Sequence, residues 1–246
     1  MDFTTYKQKF QKDGYFIMHN AIDKNMLTKL QNECDRLVDI ERKKLKIHSD
    51  PTSINKQERF FIKEWTPENQ VLTEFLFSKL MSDICLNILG DNAQLFYEQF
   101  VVKGAEKGGV FGWHQDSGYV GFDHTPYLSC WIALDDINEE NGTIYVLPNS
   151  FGYNTKIQSH NRNTIGDKIG YTGNEPGIPA IVKAGDIVCF SSLTLHRSGH
   201  NKTNKNRRAY LAQYSSTPIV LPDGSGYHAL AEPILINGER ATLLEA

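Results

Sequence analysis

Apolar positions change their spacing near residue 90: before it they recur at helical intervals, after it they come in short runs separated by turns. Residues 2–13 predict a short helix stopped by Gly14, after which Tyr15-Phe16-Ile17-Met18 enters a sheet. Asp23 is placed to cap the next helix, in which Leu27, Leu30, Cys34, Leu37 and Val38 share one face before a charged end over Glu41 to Lys46. The run ERKKLK reads either as a basic patch or, given Asp35, Asp39 and Glu41 beside it, as a solvated helix face. Residues 49–66 mix Arg59, Phe60, Phe61, Lys63 and Trp65 without a period, which predicts a lid segment lining a pocket or a loop pinned by its aromatics. One further helix is expected from Glu68 to Leu89, with Val71, Phe75, Leu76, Leu80, Ile84 and Ile88 inward and Gly90 at its end.

Gln94 to Lys103 then reads as a long strand buried on both faces, with further strands near 128–134, 143–147, 180–182, 186–190, 194–198 and 207–216. The connection from Phe151 to Pro179 is polar, glycine-rich and poor in apolar anchors, which predicts a mobile loop over the mouth of the fold. Helices early and many short strands late predict a mainly β protein with supporting helices: a double-stranded β-helix (jelly roll, cupin-like) with N-terminal helices packed on one sheet. A single domain over 1–246 is expected, with helical support over 1–92, a jelly-roll core over 93–218 and a C-terminal extension over 219–246.

The 246 residues are 40% hydrophobic and 22% charged, enough apolar material for one substantial core. A net charge of −3 leaves no footprint for nucleic acid. No apolar run approaches the ~20 residues of a membrane helix, and MDFTTYKQKFQKDG lacks an apolar signal region, so the cytoplasm is the expected compartment. Cys34, Cys85, Cys130 and Cys189 have no CxxC spacing and read as reduced core thiols. Nothing in the sequence sets an oligomeric state.

The candidate chemistry centres on FGWHQD. On an extended strand residues i and i+2 point to one face, so His114 and Asp116 converge while Gln115 points away. His196 in SLTLHRSG supplies a third ligand, and two histidines with one carboxylate form the facial triad that suits non-haem Fe(II) and oxygen. An HxD pair alone is a weak signal. Its company is Trp131 opening WIALDD, the turn and strand of NGTIYVLPNS, Ser198 two residues beyond His196, and Arg207 in NRRAYLAQYS.

Taken in order from FQKDGYFIM through HQD and NGTIYVLPNS to GDIVCFSSLTLHRSGHN and RRAYLAQYS, the chain resembles the phytanoyl-CoA dioxygenase family of Fe(II)- and 2-oxoglutarate-dependent oxygenases. The resemblance implies 2-oxoglutarate as cosubstrate with O2, and His114, Asp116 and His196 as iron ligands. It gives Arg207 the far carboxylate of 2-oxoglutarate, held bidentately, with the Ser198 hydroxyl as a further donor; Arg208, pointing oppositely on a strand, is the neighbour to weigh against it. Lys103 matches a lysine that contacts 2-oxoglutarate in ectoine hydroxylase-like relatives; the plainer reading is a strand-end lysine in water. Trp131 resembles a tryptophan beside the cosubstrate, or is simply core. Tyr97 and Gln99 precede Lys103 on one face of its strand and line the pocket, or are ordinary strand residues. Two departures stand out: the family's PGSH reads Pro148-Asn149-Ser150-Phe151, and its Lys-Pro-Pro reads Lys103-Gly104-Ala105. His200 is expected in an exposed turn, and His19, His48, His124, His160 and His228 lack arranged partners.

The resemblance implies hydroxylation of a small organic metabolite with release of succinate and CO2. The alternative is a jelly-roll metal- or ligand-binding protein without turnover, which would not need Arg207 and Ser198 at those offsets. Related halogenases replace the carboxylate ligand with a small residue, so Asp116 implies oxidation and no chlorination. Tyr97, Gln99, Phe111, Tyr119 and Phe151, with Arg59 or Lys63, would form a substrate wall that favours a small molecule bearing an anionic or polar group; if the cations face water the substrate is neutral. No basic track suits a CoA tail, which places acyl-CoA below a free metabolite such as an amino-acid derivative, an organophosphonate or a natural-product intermediate.

Overall fold

A computed structural model describes residues 3–47, 59–106, 108–149, 152 and 154–241. Its helices are α1 (Phe3–Asp13), α2 (Lys24–Ile47), α3 (Gln70–Leu76) and α4 (Lys79–Ile88). Gly14 ends α1 at φ +79, where a side chain would be strained. Asp23 Oδ1 accepts from the backbone N–H groups of Asn25 at 2.9 Å and Met26 at 3.0 Å, the capping role expected of it. Met26, Leu30, Cys34, Leu37 and Val38 are buried, while the wet face of α2 carries the ion pairs Arg36–Glu33 and Lys44–Glu41. The single helix expected from 68 to 89 is instead two, because Ser78 is extended at ψ 161 and its hydroxyl accepts from Met81 N. Phe75, Leu76 and Ile84 are buried as expected, together with Leu72 and Met81, while Val71, Leu80 and Ile88 are partly buried against the same core.

The strands in chain order are β1 (Tyr15–Met18), β2 (Arg59–Ile62), β3 (Ala93–Lys103), β4 (Phe111–His114), β5 (Leu128–Ala133), β6 (Ile144–Val146) and β7 (Asn161–Arg162). They continue with β8 (Lys168–Ile169), β9 (Ile178–Pro179), β10 (Ile187–Ser191), β11 (His196–Ser198), β12 (Arg207–Ser215), β13 (Glu232–Ile236) and β14 (Glu239–Arg240). A major sheet runs β1-β10-β5-β12-β3-β13-β14, with β2 also paired to β3, and a minor sheet runs β4-β11-β6-β9. Both are antiparallel, and they face each other across the cavity described below, the arrangement of a jelly roll.

Three expectations are corrected. The strand read at 180–182 lies at Ile178–Pro179, and Val182 forms only an isolated bridge to Ile137. Of the stretch read as irregular over 49–66, residues 49–58 lie outside the described residues, and Arg59–Ile62 is an edge strand whose partners are Phe100 to Lys103. The connection read as a mobile loop over 151–179 holds the β7–β8 hairpin and β9, and Gly170 N bonds Trp113 O at 2.8 Å.

Period-two alternation along the central strands fixes the layers. On β12, Tyr210, Ala212 and Tyr214 face the helices and belong to the main core with Leu30, Phe75 and Met81, whereas Ala209 and Leu211 belong to a separate cluster with Trp131, Val188 and Phe190. Each fully buried large side chain in the main core contributes roughly 1.5–3 kcal/mol relative to exposure. Tyr210 keeps its hydroxyl satisfied there by donating to Glu98 Oε2 at 2.7 Å. The four cysteines are buried and unpaired by disulfides. Among the described residues no helix is long and apolar enough to cross a membrane.

Candidate active site

His114 ends β4, the chain turns at Gln115, and Asp116 opens a short 3-10 helix, Asp116–Tyr119. The carboxylate thus comes from a turn rather than from the continuous strand that its i, i+2 spacing suggested. Pairing of β4 with β11 sets His114 opposite His196, and their rings lie 4.1 Å apart by centroid. Asp116 Oδ1 stands 3.9 Å from His114 Nε2 and 3.6 Å from His196 Nε2. Among the described residues these three are the group of histidine and acidic side chains able to hold a metal, with ligand atoms within 4.8 Å of one another.

The protons are arranged for that purpose. Nδ1 of His114 donates to Gly112 O at 2.8 Å and Nδ1 of His196 donates to Thr194 O at 3.0 Å, which leaves each Nε2 lone pair turned to the centre. Burial, with His196 close by, holds His114 well below the usual imidazole range, so it stays neutral and able to ligate. Asp116 Oδ2 accepts from the Ser129 hydroxyl and from Gln213 Nε2 at 2.8 Å, so Oδ1 is the oxygen presented to the two imidazoles. Ser129 and Gln213 were not among the residues singled out in the sequence. Their signal was parity: Gln213 shares its strand face with Arg207, and Ser129 shares its own with Trp131.

A cavity of about 470 Å³ opens from the triad between the sheets. At its far side Arg59, Lys103 and Arg207 stand in one cross-strand row over β2, β3 and β12. Arg207 is 1% exposed, lies over the Trp131 ring at 5.5 Å, and has no hydrogen-bond partner for Nε and Nη1. Burial lowers its pKa to about 10, with Asp135 opposing. Ser198 lines the cavity from β11. Arg208 is turned to the helix side and pairs with Asp135 at 2.6 Å and Asp35 at 2.8 Å, which removes it from the cavity.

Lys103 is 2% exposed, which excludes the reading of a lysine in water. Its Nζ donates to Gly109 O at 2.7 Å and to Gly199 O. Burial, then Arg207 and Arg59, lower its pKa to about 6, with Asp167 opposing. Gln99, Tyr97, Phe111, Tyr119 and Trp131 all line the cavity. The Phe111 ring meets His114 at 4.4 Å and Tyr119 meets it edge-on at 5.8 Å. Phe151 and His48 lie outside the described residues.

Neither cation that favoured an anionic substrate is free. Arg59 pairs bidentately with Asp167, and Lys63 lies over the outer Tyr97 ring at 3.9 Å and lines a neighbouring hollow instead. The remaining histidines also have partners, contrary to expectation. His160 Nε2 accepts from Gln115 N at 3.0 Å, and its ring packs so closely on Gly118 and Gly170 that a Cβ at either would lie 2.4 Å from it. His19 pairs with Asp186 at 2.8 Å, His124 bonds Ser117 Oγ at 3.0 Å, and His228 stacks on Phe96. His200 is exposed, as its turn composition suggests.

Comparison with known proteins agrees with this geometry. The family model described as phytanoyl-CoA dioxygenase (PhyH) matches residues 10–209. The peroxisomal phytanoyl-CoA dioxygenase of Mus musculus is 31% identical over 120 residues, covering 46% of this chain and 36% of that protein. A probable phytanoyl-CoA dioxygenase of Caenorhabditis elegans is 24% identical over 92% of this chain and 80% of its own. In fold the chain is similar to EvdO2 from Micromonospora carbonacea var. aurantiaca, solved in complex with 2-oxoglutarate: TM-score 0.67, 20% identity, 92% of this chain and 95% of that one. With the family model matched over most of its length, the chain belongs to the phytanoyl-CoA dioxygenase family.

Proposed function

We propose that this protein is an Fe(II)- and 2-oxoglutarate-dependent oxygenase that hydroxylates a small organic molecule with release of succinate and CO2. The observation that carries the reading is the pairing, across one cavity, of a metal-ready triad with a buried guanidinium whose Nε and Nη1 have no hydrogen-bond partner. A buried cation without a counter-ion is costly, and a bound carboxylate removes that cost. His114, Asp116 and His196 would hold Fe(II). Arg207, Ser198 and Lys103 would hold the far carboxylate of 2-oxoglutarate, with Trp131 and Gln99 beside it.

Bound there, Fe(II), 2-oxoglutarate and O2 supply the oxidative decarboxylation and the oxidation of a C–H bond. The chain's own part is position and dryness. Gly112 and Thr194 keep the imidazole protons on Nδ1, while Ser129 and Gln213 hold Asp116 to one free oxygen. Tyr97, Phe111 and Tyr119 would form the substrate wall, and the β7–β8 hairpin, closed onto β2 by Arg59–Asp167, limits water. A cytoplasmic location belongs to this reading and is supported by the four buried, unbridged cysteines. Purified protein given Fe(II), 2-oxoglutarate and O2 is expected to form succinate slowly without substrate and faster when a screened compound stimulates it; no succinate under any condition would count against the reading.

A further inference from the structure

Apart from the triad and the groups assigned to 2-oxoglutarate, the cavity wall presents one buried ion pair. Arg59 Nη1 and Nη2 each meet an oxygen of Asp167 at 2.9 Å, and the two side chains are 6% and 8% exposed. A buried pair of this kind adds little stability compared with apolar residues of the same shape, so a role in recognition is worth seeking. The guanidinium also donates to Val110 O at 3.3 Å and lies over the rings of Phe61 at 5.7 Å and Phe111 at 5.1 Å. Its fork is therefore engaged. The Asp167 carboxylate is not: it has about four lone-pair positions, Arg59 takes two, and among the described residues no other side chain donates to it. Phe111 spans from the pair to the His114 ring. Tyr119 borders the same wall and accepts from Lys168 N at 3.3 Å, which leaves its own proton to donate.

Charge decides what this wall can bind. Fe(II) and Arg207 together balance Asp116 and a bound dicarboxylate, Arg59 balances Asp167, and Lys103, its pKa lowered to about 6 before the dicarboxylate binds, is engaged with Gly109 O and Gly199 O and takes up only a fraction of a proton on binding. Arg197 is stacked on Tyr145 at 3.8 Å and donates to Pro176 O at 2.9 Å. A charged substrate group entering this aromatic cavity would lose water, and the cations beside it, Arg197 and Lys168, are already held by backbone carbonyls and aromatic rings. An anion would meet the Asp167 carboxylate, and an ammonium would meet Arg59 behind it. A hydroxyl needs only a spare lone pair, which Asp167 offers as a charge-assisted acceptor.

We infer that Asp167, positioned by Arg59, is the substrate-reading group of this oxygenase, and that the substrate is an uncharged molecule with an apolar body and a hydroxyl group. The inference rests on the oxygenase reading and deepens it. The test uses three probes that share one body: 2-phenylethanol, phenylacetate and 2-phenylethylamine. Their binding is read by ligand-observed NMR on anaerobic protein with Fe(II) and 2-oxoglutarate, so that no turnover is needed. The alcohol is expected to bind about tenfold more tightly than either charged probe, and Asp167→Asn to weaken it about tenfold. Arg59→Gln, which strips the carboxylate of its counter-charge, is expected to swing the preference to the amine; it carries the test if Asp167→Asn does not fold. Tighter binding of phenylacetate, alcohol binding unmoved by Asp167→Asn, no swing in a folded Arg59→Gln, or no binding of any probe would overturn the inference. Binding of 2-oxoglutarate is measured separately in the same Fe(II) samples. Its failure would sink the oxygenase reading, and the loss of alcohol binding in Asp167→Asn, read without cosubstrate, would still decide the role of Asp167.

Discussion

Replacing Arg207 with Met separates what this buried cation costs the fold from what it does for a ligand. Burial brings its pKa down from the usual arginine range to about 10, a penalty on the order of 3 kcal/mol at ~1.4 kcal/mol per unit. The folded form holds the proton less tightly than the unfolded chain, so the penalty is full below pH about 10 and fades only as pH rises from there toward the usual arginine range. Methionine removes the charge and keeps much of the volume, but loses the contact over Trp131, worth roughly 0.5–2 kcal/mol. The ligand-free variant should therefore gain about 1–2 kcal/mol, a rise of a few degrees in Tm at roughly 2–4 °C per kcal/mol for a chain of this size. Binding of 2-oxoglutarate should move the other way. Removing one partner of a buried charge pair costs about 3–5 kcal/mol, or roughly 10²–10⁴-fold in affinity. Scanning calorimetry on the ligand-free protein and anaerobic titration of 2-oxoglutarate with Fe(II) present check the two signs. A variant that melts several degrees lower and binds 2-oxoglutarate unchanged would show that Arg207 is a structural residue and refute the reasoning.

Further outcomes are expected elsewhere in the site. Gln213→Ala and Ser129→Ala free Asp116 Oδ2 and should weaken Fe(II) binding about 10–100-fold, measured by competition with a metallochromic chelator; unchanged affinity would mean that the carboxylate needs no such support. At pH 7.5 the Lys103 amine, with pKa about 6, is mostly unprotonated, and a carboxylate arriving beside it raises that pKa. Binding of 2-oxoglutarate should then take up a fraction of a proton, seen as a dependence of calorimetric heat on buffer ionisation enthalpy and lost in Lys103→Met; identical heats in all buffers for the unsubstituted protein would contradict this. Asp116→Ala should lose hydroxylation, and the unsubstituted enzyme in excess chloride should give oxidised product only, so a chlorinated product by mass spectrometry would refute the assignment of Asp116 as a filled ligand position.

Much of the site was legible because it is written at short range. His114 and Asp116 are two residues apart, and alternation along RRAYLAQYS was enough to send Arg207 and Arg208 to opposite faces. Sequence order also located the strand that carries His196. What stayed hidden depends on long-range pairing. Asp167 meets Arg59 across 108 residues, and its own neighbours in NTIGDKIG read as an ordinary turn. β2 is short, charged at one end and paired only at a sheet edge, so RFFI carries too little periodicity to stand out from its polar surroundings. The break between α3 and α4 rests on a single serine whose hydroxyl competes for a backbone N–H, a choice that the apolar spacing on either side conceals. Gln213 and Ser129 could have been found, since a polar side chain on the cavity face of a buried strand calls for a partner.

The central claim is that the triad and Arg207 act together on one bound molecule, and equilibrium titration of 2-oxoglutarate into anaerobic protein, with and without Fe(II), tests it most directly. One molecule is expected to bind per chain, tightly only when Fe(II) is present, with binding lost in His114→Ala and in Arg207→Met alike. Binding that is absent with Fe(II), or indifferent both to the metal and to Arg207, would contradict the account.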